Sequence, residues 1–243
     1  MPDIARRLRW PWRDPDVAVD VGSAVTKVCT ADSPVVERPT ARGAGAPPVV
    51  KRGQVSDVSS AASFLRPMLD HWHRLGRLRP RVMASCPIGI SERSRTRLVE
   101  AIRRAGASEV VTVPAPVAAA IGAGVDVASP HVELVVDVGA ALTEMAAFRD
   151  GAVLRSRTLA LGTHDLAAGR CDAERIARGV RAFWEGLPLR AQVEAIESGL
   201  TVTGGGALTP PVVAAIGEVT QLRLRPSLEP RNAVVHGLAA MLR

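Results

Sequence analysis

The chain has 243 residues, 47% of them apolar, and carries a formal net charge of +7. That composition supports one large domain or two small lobes with buried cores, and no run approaches the ~20 apolar residues that would span a bilayer. Cys29, Cys86 and Cys171 are far apart and form no ligand pattern, which argues against a disulfide framework or a zinc site; with no secretion signal legible at the N-terminus, the expected compartment is the cytoplasm.

The positive charge is almost all arginine, Lys27 and Lys51 being the only lysines, and aromatic residues make up 3%. Too few rings are present for base stacking, so the arginines read as solvated surface and no nucleic-acid partner is expected.

In chain order, residues 1–14 form a basic segment in which Ile4, Leu8, Trp10 and Trp12 alternate with arginines. Such a segment can lie on an anionic membrane surface, that is, at the inner face of the cell membrane; a disordered arginine-rich tail is the other reading. A hairpin is predicted over 16–30, and Ala31 to Arg52, rich in Pro, Gly and Ala, reads as an extended linker or poorly structured loop. Apolar residues at Val58, Ala62, Leu65, Leu69 and Trp72 predict a helix that Pro67 should kink. There follow a strand at 81–84, a basic-faced helix at 91–105, a strand at 110–113 and an alanine-rich helix at 116–124. The second half repeats the plan, with strands at 132–137, 144–148 and 152–161, helices at 172–184 and 188–197, a strand at 200–203, a helix from 211, a strand at 222–224 and a closing helix at 233–242. Strands alternating with helices give an α/β fold.

One phrase occurs twice: Val-Asp-Val-Gly-Ser-Ala-Val-Thr at 19–26 and Val-Asp-Val-Gly-Ala-Ala-Leu-Thr at 136–143. Each copy ends an apolar strand on a carboxylate (Asp20, Asp137) and turns on a glycine (Gly22, Gly139). Glycine lets backbone amides approach phosphate oxygens and permits positive φ, and a carboxylate beside the turn suits Mg²⁺ held through water. Ser23 adds a donor, and Lys27 a cation one hairpin turn away. A third cluster, Gly204, Gly205 and Gly206, follows a strand and precedes a helix, as a loop does that lies flat against a base or sugar.

Taken in order, the three motifs resemble those of the actin, Hsp70 and sugar-kinase superfamily. The segments Cys86-Pro87-Ile88-Gly89-Ile90-Ser91-Glu92, Ala105 to Val110 and Pro116 to Gly124 are most similar to MreB, the bacterial actin. The resemblance implies a duplicated actin-like (ribonuclease H-like) core with two lobes around a nucleotide cleft. Residues 15–131 would form the first lobe, with the helix at 232–243 packing back on it, and 132–231 the second. It also implies ATP or ADP with Mg²⁺ as ligand: Asp20, Gly22, Ser23, Thr26 and Lys27 in the first phosphate loop, Asp137, Gly139 and Thr143 in the second, Gly204 to Gly206 at the adenosine, and Asp20 and Asp137 on the metal's waters.

The family pattern fails at several points. Ala140 and Ala141 replace glycines of the second loop, and Leu142 replaces a threonine. An alanine forced to positive φ costs roughly 1–2 kcal/mol, so triphosphate binding should weaken. The glutamate that orients the attacking water aligns with Ser94; Glu92 is nearby but points elsewhere. Pro114-Ala115-Pro116 replaces Glu-Glu-Pro, and both outer subdomain insertions are missing or vestigial. His71 and His73, at i and i+2, share no helix face, and His131, His164 and His236 are solitary, so no catalytic residue is assigned. The expected function is a shortened MreB-like protein of cell-shape or cell-wall morphogenesis, interacting with MreB-type cytoskeletal or wall-synthesis proteins. Its ATPase would be degenerate, and its self-association limited by reduced filament contacts. An active ATP-binding switch or ATPase, and a peptide-binding adaptor of a pilus- or division-type machinery, stay open as alternatives.

Overall fold

A computed structural model describes residues 17–40, 48–73 and 79–243, with backbone alone at 71–73. The N-terminal segment bearing Ile4, Leu8, Trp10 and Trp12 lies outside the described residues, as do the side chains of His71 and His73.

Two five-stranded sheets follow the same plan. The first comprises β1 (Val17–Val21), β2 (Val25–Cys29), β3 (Val36–Pro39), β6 (Arg81–Cys86) and β7 (Glu109–Pro114), in the order β3-β2-β1-β6-β7. The second comprises β8 (Glu133–Val138), β9 (Thr143–Arg149), β10 (Ala152–Leu159), β11 (Leu200–Thr203) and β12 (Leu224–Pro226), in the order β10-β9-β8-β11-β12. In each sheet the first three strands form an antiparallel meander and the other two run parallel to the first. The repeated phrase is therefore the β1–β2 and the β8–β9 hairpin.

Strand alternation divides the apolar side chains among three cores. Val17, Val19 and Val21 point outward to α1 (Val58–His73) and α2 (Glu92–Arg104). Val136 and Val138 point outward to α5 (Ala173–Glu185) and α7 (Pro210–Thr220), with α6 (Leu189–Ser198) completing that layer. The opposite faces, carrying Ala18, Cys29 and Met83 from one sheet and Val135, Ala146 and Phe148 from the other, close on α3 (Ala115–Gly122) and α8 (Ala233–Ala240). These two helices pass so close that a Cβ on Gly237 would overlap the Ala118 carbonyl and one on Gly122 the Ala233 carbonyl. Small residues make that approach, which joins the two sheets through one central layer.

Local signals account for the helix ends. Ser91 caps α2 by accepting from the Ser94 N–H at 3.2 Å, and Asp172 caps α5 by accepting from the Arg175 N–H at 2.7 Å. Arg103 and Arg104 in the last turn of α2 suit the negative end of its dipole. α1 runs unbroken across Pro67.

Three readings of the sequence are corrected. Within the supposed linker, Val36–Pro39 forms an edge strand paired with β2; Pro39 is tolerated because the outer edge needs no donor. β4 (Val50–Lys51) and β5 (Gln54–Val55) make a separate small hairpin. A short helix, α4 (Thr163–Ala167), interrupts the run after β10, and the last strand lies at 224–226 rather than 222–224. On α6, Leu189, Val193 and Ile196 form an exposed apolar stripe.

Candidate functional site

The same alternation that sorts the cores builds the site. Asp20 shares a face with Ala18, and Lys27 with Cys29; Asp137 shares one with Val135, and Glu144 with Ala146 and Phe148. All four side chains therefore face the central layer at the strand ends where the two helices no longer fill it. Asp20 pairs in register with Lys27, and Asp137 with Glu144. Lys27 and Glu144 are thus equivalent positions of the duplicated hairpin, one cationic and one acidic.

These groups line a single cleft of about 260 Å³, together with Gly22, Ser23, Ser85, Gly139, Leu142, Gly204, Gly205 and Arg231. Asp20 accepts from the Ser85 hydroxyl at 2.6 Å, and Asp137 from the Thr203 hydroxyl at 3.0 Å. The Lys27 ammonium donates to the Arg231 carbonyl. Glu144 accepts from the Ile88 N–H at 2.7 Å, a bond from the second sheet to a loop of the first.

Burial dominates the electrostatics. It raises the Asp20 carboxyl despite attraction to Lys27 and the Ser85 hydrogen bond, and it lowers the Lys27 ammonium despite Asp20. Asp137 is pushed up to about 6 by burial, against the Thr203 hydrogen bond and with Asp20 adding repulsion. Glu144 rises to about 8 through burial, reinforced by Asp137 and Asp20 and opposed by the Ile88 N–H. Below pH 8 Glu144 is the neutral acid, so two carboxylates, Asp20 and Asp137, face Lys27 and Arg231 in the cleft.

The two facing carboxylates, one from each repeated hairpin, suit a divalent cation. Asp20 and Asp137 each spend one oxygen on a hydroxyl and keep another for a metal's water shell. No group of three or more ligating side chains that could hold a metal ion occurs among the described residues. A bound Mg²⁺ would offset phosphate charge.

The glycine turns work differently from the sequence-based expectation. Neither Gly22 nor Gly139 has positive φ, and neither do Ala140 and Ala141, so the second loop bears no such backbone strain. Gly22 is needed because a Cβ would stand 2.6 Å from the Val25 carbonyl oxygen. Gly204 does have positive φ, +81°, and a Cβ there would meet an Asp137 carboxylate oxygen at 2.7 Å. Ala140 accepts at its carbonyl from the His164 N–H at 2.8 Å, and Gly139 from the Thr163 N–H at 3.0 Å.

Asp20, Gly22, Ser23, Lys27, Asp137, Gly139, Gly204 and Gly205 converge on the cleft. Thr26, Thr143 and Gly206 do not line it. Thr26 meets the Thr40 hydroxyl at 2.9 Å and Thr143 donates to the Leu161 carbonyl at 3.0 Å, because alternate strand positions face away, while Gly206, in the 3-10 turn after β11, lies against Val138. Ser94 donates at 3.3 Å to the Gln54 side chain, and Glu92 points into solvent, paired at 3.8 Å with Arg95. Glu144, like Ser85 and Arg231, lines the cleft without being among the residues expected there. Its signal was a lone carboxylate in an apolar strand, one residue past the repeated phrase.

The sequence profile of the MreB/Mbl protein family matches residues 45–176, more than half of the chain. The chain belongs to the MreB/Mbl family. It is 26% identical to the cell shape-determining protein MreB of Escherichia coli K12 over 226 residues, covering 80% of this chain and 65% of MreB, so it spans just under two thirds of that relative's length. Among solved structures, MreB5 of Spiroplasma citri bound to ADP superposes with a TM-score of 0.80 at 18% identity, over 92% of this chain and 94% of MreB5. The PilM-PilN type IV pilus biogenesis complex gives a TM-score of 0.66 at 16% identity, over 95% and 99% of the two chains. These likenesses establish an actin-like fold in an MreB/Mbl chain.

Proposed function

We propose that this chain acts in bacterial cell shape as a cytoskeleton-associated interaction protein, binding nucleotide weakly and turning over little or no ATP. The observation that carries the reading is the state of the hydrolytic position. By the resemblance Ser94 takes the place of the family's carboxylate; its hydroxyl donates to Gln54 and it does not line the cleft. Loss of a general base of this kind costs about 10²- to 10⁴-fold in rate. The acids within the cleft, Asp20, Asp137 and Glu144, each already accept one hydrogen bond, from Ser85, Thr203 and the Ile88 amide.

In this reading, adenine nucleotide with Mg²⁺ lies between the first loop and Gly204–Gly205, with Lys27 meeting phosphate and Asp20 and Asp137 the metal's water. The protein works on the cytoplasmic side, held to an anionic membrane by Ile4, Leu8, Trp10 and Trp12, beside MreB-type or wall-synthesis partners. Titration calorimetry with Mg-ADP and Mg-ATP, together with phosphate release, tests it. Heat and hydrolysis at the rate of a filament-forming actin, both abolished by Asp137→Ala, would sink the degenerate-ATPase reading. Equal pelleting with anionic liposomes of the full chain and a chain starting at Pro15 would remove the anchor.

A nucleotide switch is the second reading. The first loop favours it, because Lys27, Gly22 and Ser23 all reach the cleft. Thermal stabilisation by nucleotide without turnover would select it.

A further inference from the structure

Two segments of the first lobe reach across to the second. One is the β4–β5 hairpin, whose turn residues Arg52 and Gly53 both have positive φ, +49° and +70°, the pattern of a type I′ turn. Asn, Asp or Gly takes the first of these positions at least cost, and an arginine there is unusual. What Arg52 gains is contact with the other lobe. Its guanidinium donates to the Ala160 carbonyl at 2.8 Å and stands 3.8 Å from Asp165. Asp165 is a fixed target, almost fully buried, accepting also from the Gly162 N–H at 3.1 Å and from Arg170 at 2.8 Å.

Gly53 is equally constrained. A Cβ on it would collide with the Pro87 ring and come within 3.2 Å of a Leu142 methyl. Leu142, one of the three residues that depart from the family pattern in the second loop, thus closes on the hairpin of the opposite lobe. The second segment is the loop after β6: the Ile88 N–H donates to Glu144 at 2.7 Å, and its carbonyl accepts from the Thr158 hydroxyl at 3.2 Å. The central helices α3 and α8 join the lobes behind the cleft, and these contacts tie its mouth.

We infer that the 50–55 hairpin is a strap which, through Arg52 and through Gly53 packed on Leu142, holds the lobes closed with no nucleotide present. Protein contacts then take over the bridging that a phosphate tail provides. The inference deepens the reading of a chain with little ATP turnover, but it is judged on nucleotide-free protein, so the two can fail separately. Brisk hydrolysis would sink the functional reading and leave the strap untouched.

The test is a pair of spin labels on the full chain, at Arg103→Cys on α2 and Glu218→Cys on α7, in a Cys171→Ser background. The expected result is one narrow distance in nucleotide-free protein, unchanged by Mg-ADP or Mg-ATP. Arg52→Ala, alone and with Leu142→Ser, should broaden the distribution toward longer distances. In the same variants, hydrogen exchange at the Ile88 amide should quicken at least tenfold. The Ile90 amide, bonded to the Pro87 carbonyl within the first lobe, should not change. Arg52→Ala alters a half-exposed hairpin tip, and circular dichroism checks that it folds. A broad wild-type distribution that narrows only with nucleotide overturns the inference. So does a strap variant that keeps both the narrow distance and the slow Ile88 exchange.

Discussion

Glu144→Gln should stabilise the protein, and by more as pH rises. Glu144 is almost fully buried and its carboxyl sits at about 8 in the folded chain, against 4.5 for an unperturbed glutamate. With the folded value above the unfolded one, the favourable contribution is complete below pH 4.5 and is lost as pH rises through 8. At pH 7 the unfolded chain has released this proton while the folded chain still holds it, a cost of about 3 kcal/mol, growing to about 4–5 kcal/mol at pH 9. Glutamine removes the titration and keeps a carbonyl oxygen to accept from the Ile88 N–H. Urea denaturation followed by circular dichroism at half-unit steps from pH 5 to 9 gives the variant-minus-wild-type difference directly. It should be small at the acid end and climb by several kcal/mol. A flat difference would refute the claim that Glu144 is held protonated, and a uniformly destabilised variant would mean that the carboxylate itself carries the cross-lobe contact.

Three other outcomes are expected. Gly237→Val should unfold the chain or lower its melting temperature by many degrees, since even a Cβ would overlap the Ala118 carbonyl, whereas Gly89→Ala, at φ +76° in open space, should cost only about 1–2 kcal/mol; similar melting shifts for the two would discredit the central-layer packing. Restoring the family's second loop with Ala140→Gly, Ala141→Gly and Leu142→Thr together should raise Mg-ADP affinity by calorimetry, and unchanged heat would mean that the loop is not what limits binding. Asp172→Ala removes the acceptor of the Arg175 N–H at 2.7 Å and should cost about 1 kcal/mol in urea melts, an effect absent if the N–H is equally well served by water.

Much of this architecture is legible in the sequence because the signals are short-range. The two hairpins are announced by apolar runs broken at Asp20-Val21-Gly22 and Asp137-Val138-Gly139, and the helices by caps such as Ser91 and Asp172 and by 3.6-residue periodicity. Val36–Pro39 is not legible in the sequence because its pairing is entirely with β2 and its composition, Val-Glu-Arg-Pro, has no alternation to read. Thr26 and Thr143 were placed at the ligand because they belong to the phrase; facing is decided by strand parity, and parity puts them on the side away from Asp20 and Asp137. The strain expected at Ala140 and Ala141 is missing for a related reason. Gly139 meets the Leu142 carbonyl at close range in ordinary φ, so the turn asks for small side chains there without asking for left-handed backbone.

The parity that misplaced the threonines also gives the duplication its functional meaning. Asp20 and Asp137 stand at one position of the repeated hairpin, and Lys27 and Glu144 at the facing one. A polyanion entering the cleft finds an ammonium on the first lobe and a protonated acid on the second. One side can attract it through space; the other can only donate a hydrogen bond, and on ionising would repel it. Nucleotide affinity should therefore fall as pH rises through about 8, where Glu144 loses its proton, and Glu144→Gln should abolish that fall while leaving affinity at pH 6 nearly unchanged. Calorimetry with Mg-ADP at pH 6, 7.5 and 9 decides it. A wild-type affinity independent of pH over that range would mean that Glu144 does not face the bound phosphates, and that the two hairpins share an ancestry without sharing a ligand.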